Sequence, residues 1–325
     1  MTRVFITIDT EYSSGLYAGP DAASRAENFA RSIGCITPGG PAGVSHKLEL
    51  LNHYGQKAVF FVDPMPALVW GVAAIEDIVG PIIAAGQDVQ LHCHTEWLGH
   101  AGSANPLASK RTGLSIADFP LDEQCEIIAY ARETLMAAGA PAPVAFRAGN
   151  YGANDDTLRA LSANGIAYDA SHCPALTDGL CRISLGPEDR DPVRHMGVIE
   201  VPAGTIGTLG GGQRHAQITA LTLAEMLAAV RHAKREGRES FTLVSHSFEL
   251  INRRKLAVNP IVRRRFSGLV KALAGMRRVE TGTFAGTPPT LPAFAKQSDP
   301  LPATAMRTSL RLAEQFISNT LYGAL

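Results

Sequence analysis

The chain has 325 residues, and its 30 lysines and arginines balance 30 aspartates and glutamates, so the formal net charge is zero. Without a basic surplus, we expect no nucleic-acid partner. Hydrophobic residues make up 46% of the chain, enough for a large core, but no apolar run is long enough to cross a membrane. Strand-like sequence begins at Val4, so we expect no signal peptide, and the five scattered cysteines include no Cys-x-x-Cys pair. We therefore expect a cytoplasmic protein with reduced thiols and no membrane partner.

Short β-favouring runs are spaced along the chain and alternate with helical patterns. Runs such as 3–8 and 58–62 are nearly continuous in apolar or β-branched residues, which is typical of strands buried in a parallel sheet. The predicted strands are 3–8, 58–62, 89–92, 144–146, 166–169, 197–202, 241–245 and 278–280. Strands that alternate with helices pair in parallel through right-handed crossovers. Seven or eight of them favour an α/β fold of the (β/α) barrel type over an open sheet.

Helical patterns fill most of the gaps between these strands. Proline or glycine marks several of their ends, such as Pro120 before one helix and Gly139 after it. The predicted helices cover about 21–32, 44–51, 73–85, 121–138, 155–164, 222–235 and 260–274. Much of the stretch 12–42 is otherwise a loop, and a loop of this length in a compact domain often covers a site.

The C-terminal stretch has a different composition from the rest of the chain. Residues 287–302 are rich in proline and in small polar residues, which is typical of a linker. An amphipathic helix is predicted beyond them, because its apolar residues fall on one helical stripe: Met306, Leu310, Ala313, Ile317 and Leu321. We therefore divide the chain into a barrel, 1–286, and a linker with a tail helix, 287–325. Docking on the barrel is our first interpretation of this helix, and self-association into a homo-oligomer is the second.

Polar side chains directly follow four of the predicted strands. They are Asp9 and Glu11 after the first strand, His92 and His94 after the third, Arg147 after the fourth and His246 after the seventh. In a barrel, the carboxyl ends of parallel strands face one opening, so we expect these side chains to meet. Two histidines that are two residues apart on a strand point to the same side, and imidazoles with a carboxylate suit zinc and other transition metals. The pattern predicts a hydrolytic metal site with a carboxylate base and a histidine acid.

Five stretches, in this order, resemble the polysaccharide deacetylase family, which is also called carbohydrate esterase family 4. They are Thr7-Ile8-Asp9-Thr10-Glu11, Ala58-Val59-Phe60-Phe61-Val62, Leu91-His92-Cys93-His94, Phe146-Arg147-Ala148-Gly149 and Leu243-Val244-Ser245-His246-Ser247. The resemblance spans about residues 3–284. It implies a distorted (β/α)7-8 barrel that uses a divalent metal, often zinc, to hydrolyse an N-acyl or O-acyl group on a sugar. By match, it makes Asp9 the catalytic base, Arg147 the residue that holds this base and His246 the general acid.

The sequence departs from the family pattern at the acids after the first strand. The family usually has two adjacent acids there, and the second of them binds the metal. Here Thr10 takes the second place and Glu11 follows it. Some relatives have one residue between the two acids, so Glu11 is our preferred metal ligand, with Asp9 as the alternative. The spacing alone leaves this choice open.

A second departure concerns the histidines. The family motif usually separates its two histidines by three residues, whereas His92 and His94 are separated by one. Glu96 continues the same strand parity and is our candidate for a fourth ligand, with His100 as the alternative. The expected metal ligands are therefore Glu11, His92, His94 and Glu96.

Two aromatic residues, Trp97 and Tyr151, lie just past functional strand ends and are candidates for a wall on which a sugar ring stacks. The expected substrate is an acylated amino sugar or a related small molecule, because a cytoplasmic enzyme does not reach a polymer outside the cell. One alternative is an amidohydrolase-type barrel acting on a cyclic amide or formamide, although such barrels place His-x-His after the first strand. A carbohydrate-binding barrel with an inactive site is the other alternative.

Overall fold

The computed structural model describes residues 1–19, 21–176, 179–292 and 297–323. Within these ranges, nine strands form the main sheet: β1 (Thr2–Thr10), β2 (Val59–Val62), β3 (Asp88–Cys93), β4 (Ala145–Ala148), β5 (Tyr168–Asp169), β6 (Val193–His195), β7 (Val198–Glu200), β8 (Ser240–His246) and β9 (Val279–Thr281). Their order is β8-β1-β2-β3-β4-β5-β7-β6, and β9 also pairs with β1. Every pair is parallel except β7 with β6. The predicted distorted α/β barrel is confirmed.

The barrel closes through irregular backbone between β7 and β8. The Gly204 N–H donates to the Thr242 carbonyl at 3.0 Å, and the Val244 N–H donates to the Ala216 carbonyl at 2.9 Å. A Cβ on Gly204 would lie 2.3 Å from the Thr242 carbonyl oxygen, so this approach requires glycine. Because these loop residues take the place of a regular strand, the barrel is distorted on this side.

The described residues also form ten α-helices, most of them on the outside of the sheet. They are α1 (Ser14–Tyr17), α2 (Arg25–Ser32), α3 (Val44–His53), α4 (Ala67–Trp70), α5 (Ala73–Ala84), α6 (Leu121–Ala137), α7 (Asp155–Ala163), α8 (Leu223–Arg235), α9 (Pro260–Ala274) and α10 (Ala305–Ile317). Capping boxes at Ser24, Asn154 and Thr222 fix where α2, α7 and α8 begin. None of the described helices is long and apolar enough to span a membrane.

Alternating side chains of β1 serve the two faces of the sheet. Val4, Ile6 and Ile8 belong to the large core between the sheet and the helices. Phe5 belongs instead to a smaller cluster inside the barrel, where its ring lies 5.5 Å from that of Phe284, from the segment after β9. The inward positions further along β1 lead to its carboxyl end, so the packed interior lies beneath that end.

The tail helix α10 packs on the barrel with the polar side of the helix. The Arg311 guanidinium is 2.6 Å from the Glu225 carboxylate of α8, and both side chains are buried. Arg265 of α9 pairs with Glu314 at 2.9 Å. Asn259, which caps α9, donates to the Ser318 hydroxyl at 2.9 Å. The predicted apolar stripe of this helix therefore faces away from the barrel, and the helix is held by ion pairs and hydrogen bonds.

Replacing Arg311 with methionine should lower the free energy of unfolding by about 3 kcal/mol, because the buried Glu225 carboxylate loses its charged partner. The matched control is Arg307→Met on the same helix, where a half-exposed arginine bonds only a backbone carbonyl and the change should stay within about 0.5 kcal/mol. Urea unfolding followed by circular dichroism measures both changes. Equal unfolding midpoints for the two variants would show that the Arg311 pair does not stabilise the fold.

The same contacts lead us to expect a less stable barrel when residues 287–325 are removed.

Candidate active site and metal centre

Two histidines and one glutamate converge at the carboxyl ends of β1 and β3. One oxygen of the Glu11 carboxylate lies 3.1 Å from Nε2 of His92 and 2.6 Å from Nε2 of His94. The ligand atoms of these three residues all lie within 4.8 Å of one another. His92 is inside β3 and His94 follows its last residue, so the pleat of the strand sends both rings to the same side. The structure thus brings together three of the four predicted metal ligands.

Hydrogen bonds to the second ring nitrogen fix both imidazoles. Nδ1 of His92 lies 2.7 Å from the Arg147 carbonyl oxygen, which requires it to donate and leaves Nε2 with a free lone pair. Nδ1 of His94 lies 3.0 Å from the Glu96 carboxylate. Such partners are typical of metal-binding histidines, whose rings they orient. Glu96 therefore lies behind His94 rather than among the ligand atoms, because the chain turns into a 3-10 helix at Thr95–Gly99 and the strand parity is lost.

Trp97 does not line the site, so its predicted role in a sugar-stacking wall is wrong. Its side chain is fully buried. The indole ring packs against Trp70 at 5.3 Å and Tyr17 at 5.6 Å. His100, the alternative fourth ligand, packs against the rings of Tyr17 and Trp97 and lies outside the ligand cluster. The 3-10 helix after β3 turns Trp97 into the core and leaves His100 partly exposed, away from the ligand atoms.

The turn after β4 is shaped by its closeness to His94. A Cβ on Gly149 would lie 2.7 Å from Nδ1 of His94, so only glycine lets the two segments come this close. The next two residues, Asn150 and Tyr151, both have positive φ, at 53° and 57°. Residues other than glycine rarely adopt this backbone conformation, and those that do cluster at functional sites. The strained turn carries the Tyr151 side chain into the site.

Asp9 and Arg147 form a buried ion pair between the ends of β1 and β4. Nη1 of Arg147 donates to Oδ1 of Asp9 at 2.6 Å, and both side chains are nearly inaccessible to solvent. Nε of Arg147 donates to the Ala170 carbonyl at 3.0 Å, and the guanidinium lies 4.5 Å from the centre of the Phe61 ring. The second oxygen of Asp9 lies 3.8 Å from Nε2 of His246. The predicted base, arginine and acid are therefore neighbours.

His246 is held by a carboxylate that the sequence analysis did not select. Nδ1 of His246 lies 3.0 Å from Glu249, which also accepts a hydrogen bond from Gln217. Burial disfavours the imidazolium, but the hydrogen bond and charge of Glu249 prevail and raise the pKa of His246 to about 9. The buried ammonium of Lys47 donates to the carbonyls of His246 and Ser247, the second at 3.1 Å. Gln217 and Lys47 come from distant segments and had no signal in the sequence.

A cavity of about 250 Å³ connects these groups. Its lining consists of Asp9, Glu11, His92, His94, Arg147, Ala148, Asn150, Tyr151, Leu176 and His246. Two buried donors in it, Nη2 of Arg147 and the Tyr151 hydroxyl, have no hydrogen-bond partner among the described residues. Buried polar atoms are nearly always paired, so these two are available to a ligand.

No protein-family model matches the chain, and no curated protein does. Among solved structures, a candidate polysaccharide deacetylase from Mycobacterium smegmatis is similar over 90% of this chain and 94% of its own, at 16% identity and a TM-score of 0.55. A family 4 carbohydrate esterase from Streptomyces lividans is 10% identical over 90% of this chain and 98% of its own, with a TM-score of 0.40. A family 4 pseudoenzyme from Bacillus anthracis is 10% identical over 93% and 70%, with a TM-score of 0.43. The similarity to the first of these structures confirms that the chain has the distorted barrel fold of a polysaccharide deacetylase.

Proposed function

We propose that this protein is a metal-dependent deacetylase that hydrolyses the N-acetyl group, or a similar N-acyl group, of an amino sugar. The observation that carries the proposal is the meeting of one possible metal site, one held carboxylate and one carboxylate-bound histidine in a single cavity. Fold alone does not decide function, since one fold hosts many activities. The proposal therefore depends on the chemistry of these side chains.

The donor set of Glu11, His92 and His94 fits a divalent cation such as zinc. Two imidazole nitrogens and one carboxylate, with coordination positions left open, are the ligands of many catalytic zinc sites. Burial opposes ionisation of Glu11, but the two imidazoles hold the pKa of its carboxyl well below the usual range. A cation bound there would act as a Lewis acid on the acyl carbonyl and on the attacking water.

Asp9 is the base in this proposal, and Arg147 positions it. The hydrogen bond from Arg147 occupies one carboxylate oxygen and leaves the other, which lies toward His246, for the proton of the attacking water. Because Arg147 is itself held by Ala170 and Phe61, the carboxylate has a fixed orientation. A base that needs no rearrangement is the arrangement that general-base catalysis favours.

His246 is the acid that donates a proton to the departing amine. Glu249 binds its Nδ1, so Nε2 faces the cavity and carries the mobile proton. The raised pKa keeps this imidazolium protonated at neutral pH. Base and acid lie 3.8 Å apart in the same cavity, so both could reach one scissile C–N bond.

Two features of the cavity support a small sugar derivative as the substrate. Its volume of about 250 Å³ is at the low end of ligand sites and suits a single acylated ring rather than a long polymer. The unpaired hydroxyl of Tyr151 and the unpaired Nη2 of Arg147 can donate hydrogen bonds to sugar or acyl oxygens. Tyr151 is therefore our proposed substrate contact.

Purified protein should contain about one divalent metal ion per chain, and His92→Ala and His94→Ala should each lose it, because each removes one of three ligands. Gly149→Ala should also bind metal less tightly, since the added Cβ displaces the His94 ring. Elemental analysis after dialysis measures the content. His195→Ala, in a histidine–carboxylate pair outside the cavity, is the matched control and should keep full metal. Equal metal in the control and in both ligand variants would refute the centre.

Substitutions of Asp9 and Glu11 should have different effects on metal content and turnover. Asp9→Asn and His246→Ala should keep the metal and lose turnover on an N-acetyl amino sugar by about 10²–10⁴-fold, because each removes one proton transfer. Glu11→Ala should instead be metal-poor. Turnover and metal content are measured on the same preparations. Metal loss in Asp9→Asn, with metal and activity kept in Glu11→Ala, would reverse the assignment. A wild-type protein that holds metal but hydrolyses none of a panel of N-acetyl amino sugars would contradict the proposed activity.

The alkaline side of the pH profile should depend on Glu249. As an acid, His246 works only while protonated, so kcat/KM should fall as the pH rises through its pKa, which is raised to about 9. Glu249→Gln removes the charge that raises this pKa, so the fall should move to lower pH by about one unit or more. Asp155→Asn removes the carboxylate partner of His195 and should leave the profile in place. An unmoved alkaline limb in Glu249→Gln would exclude His246 as the titrating acid.

A further inference from the structure

One face of the tail helix α10 exposes an unusual amount of apolar surface. Five large apolar side chains of this helix have exposed fractions between 45% and 76%: Met306, Leu310, Leu312, Phe316 and Ile317. Leu321, in the π-helical turn that follows α10, is 62% exposed. Single exposed hydrophobic residues are ordinary on soluble proteins, but a contiguous apolar face of this kind marks an interaction site.

The exposure follows from how the helix is attached. On the opposite side of α10, Arg311 is buried against Glu225, and Ser318 is buried against Asn259. Rotating the helix to bury its apolar face would pull the Arg311 guanidinium out of its ion pair and leave a buried carboxylate alone. The barrel therefore holds the apolar face outward.

A partly apolar groove lies beside the helix on the barrel. This groove of about 470 Å³ lies between α8, α9 and α10, and Leu223, Leu227 and Ile261 contribute its apolar wall. Glu314, at the edge of the exposed face, also lines the groove. A partner that packed on α10 could insert large side chains into this groove. Grooves beside an exposed helix face are a common arrangement for binding another helix.

The arginines of α10 itself are not arranged to bind a membrane surface. Helices that bind membranes carry lysine and arginine on their polar side, free to meet anionic headgroups. Both arginines of α10 are instead turned to the protein, Arg311 to Glu225 and Arg307 to the carbonyl of Pro302. The formal net charge of the whole chain is also zero.

The shape of the face suits a second copy of itself. The small residues Ser309 and Ala313 lie in its middle, with Leu310 and Ile317 on one side and Leu312 and Phe316 on the other. An antiparallel pair of such helices can approach closely at the small residues while the large ones interlock. With roughly 200 Å² for each fully exposed large side chain, the face offers about 700 Å² per copy, close to the roughly 800 Å² per partner of a standard interface.

We propose that the apolar face of α10 is the interface of a two-fold symmetric dimer, in which α10 of one copy packs antiparallel on α10 of the other. Two-fold dimers are the commonest oligomers, and they need one self-complementary surface. The helix is far from the cluster of metal-binding and acid-base residues in sequence, and its pairing is independent of the activity proposed above.

Sedimentation velocity of the full chain over a range of concentrations tests this dimer. Wild type should sediment at twice the chain mass, while Leu310→Glu and Phe316→Glu should each sediment as monomers, because each places a charge in the apolar interface. The matched control is Leu114→Glu, which changes an equally exposed but isolated leucine and should remain dimeric. A wild type that is monomeric throughout, or a dimer that persists in both α10 variants, would overturn the proposal.

Two further measurements distinguish the partner and the geometry. A variant with both Ser309→Cys and Ala313→Cys should form an intermolecular disulfide under mild oxidation, because antiparallel pairing across the small residues brings these positions of the two copies together, whereas Gln315→Cys on the other side of the helix should not. A failure of the double variant to cross-link in a dimeric sample would refute the antiparallel arrangement. Sedimentation with phosphatidylglycerol–phosphatidylcholine vesicles tests the competing occupant. Vesicle binding by a monomeric wild type would assign the face to a membrane and overturn the dimer.

Discussion

The candidate site depends on Arg147, which joins three of its parts. Its guanidinium holds the Asp9 carboxylate, and its backbone carbonyl accepts a hydrogen bond from Nδ1 of His92. Its Nε donates to the backbone carbonyl of Ala170, directly after β5. A buried guanidinium is stable only if its charge is compensated, and Asp9 is the charge that does so. The requirement to bury this arginine therefore fixes the relative positions of Asp9, His92 and two strand ends.

This arrangement explains how two carboxylates that are two residues apart can do different work. Asp9 is in β1, where the ladder holds it opposite His246 of β8 and beside Arg147. Glu11 lies one residue past the strand, where its side chain reaches the two histidines after β3. One acid faces a fixed cation and the other faces two imidazoles. These different surroundings support the roles proposed for the two residues, Asp9 as the base and Glu11 as a metal ligand.

The strands, most helices and the central constellation could be predicted because each follows from local sequence. β1 and β8 are continuous buried runs, and their carboxyl-end residues must share one opening once the strands are parallel. The turn of the chain after His94 could not be predicted, since a 3-10 helix leaves no periodic signal over five residues, and this is why Glu96 and Trp97 were misplaced. The short antiparallel strand β6 was missed because it has only three residues, two of them are polar, and none is buried.

Contacts that involve the backbone or distant segments could not be predicted from the sequence either. Lys47 lies in α3 and reaches the carbonyls after β8, a contact that only the assembled barrel creates. Glu249 is three residues after His246, and this spacing alone does not distinguish a carboxylate that orients the imidazole from a solvated one. The orientation of α10 could not be predicted either, because its apolar stripe indicated burial on the barrel, whereas the buried ion pairs of Arg311 and Arg265 decide which side docks.

The packed interior beneath the site has a kinetic consequence. Phe5, Phe61 and Phe284 fill the barrel below the carboxyl end of β1, with ring centres 5.5 to 5.8 Å apart where they meet. The cavity is therefore closed on the side of the barrel interior. In the reaction proposed above, the substrate and both products, the small acid and the sugar amine, would enter and leave on the opposite side. The product that lies deeper would then leave second, and its departure would limit the next turnover.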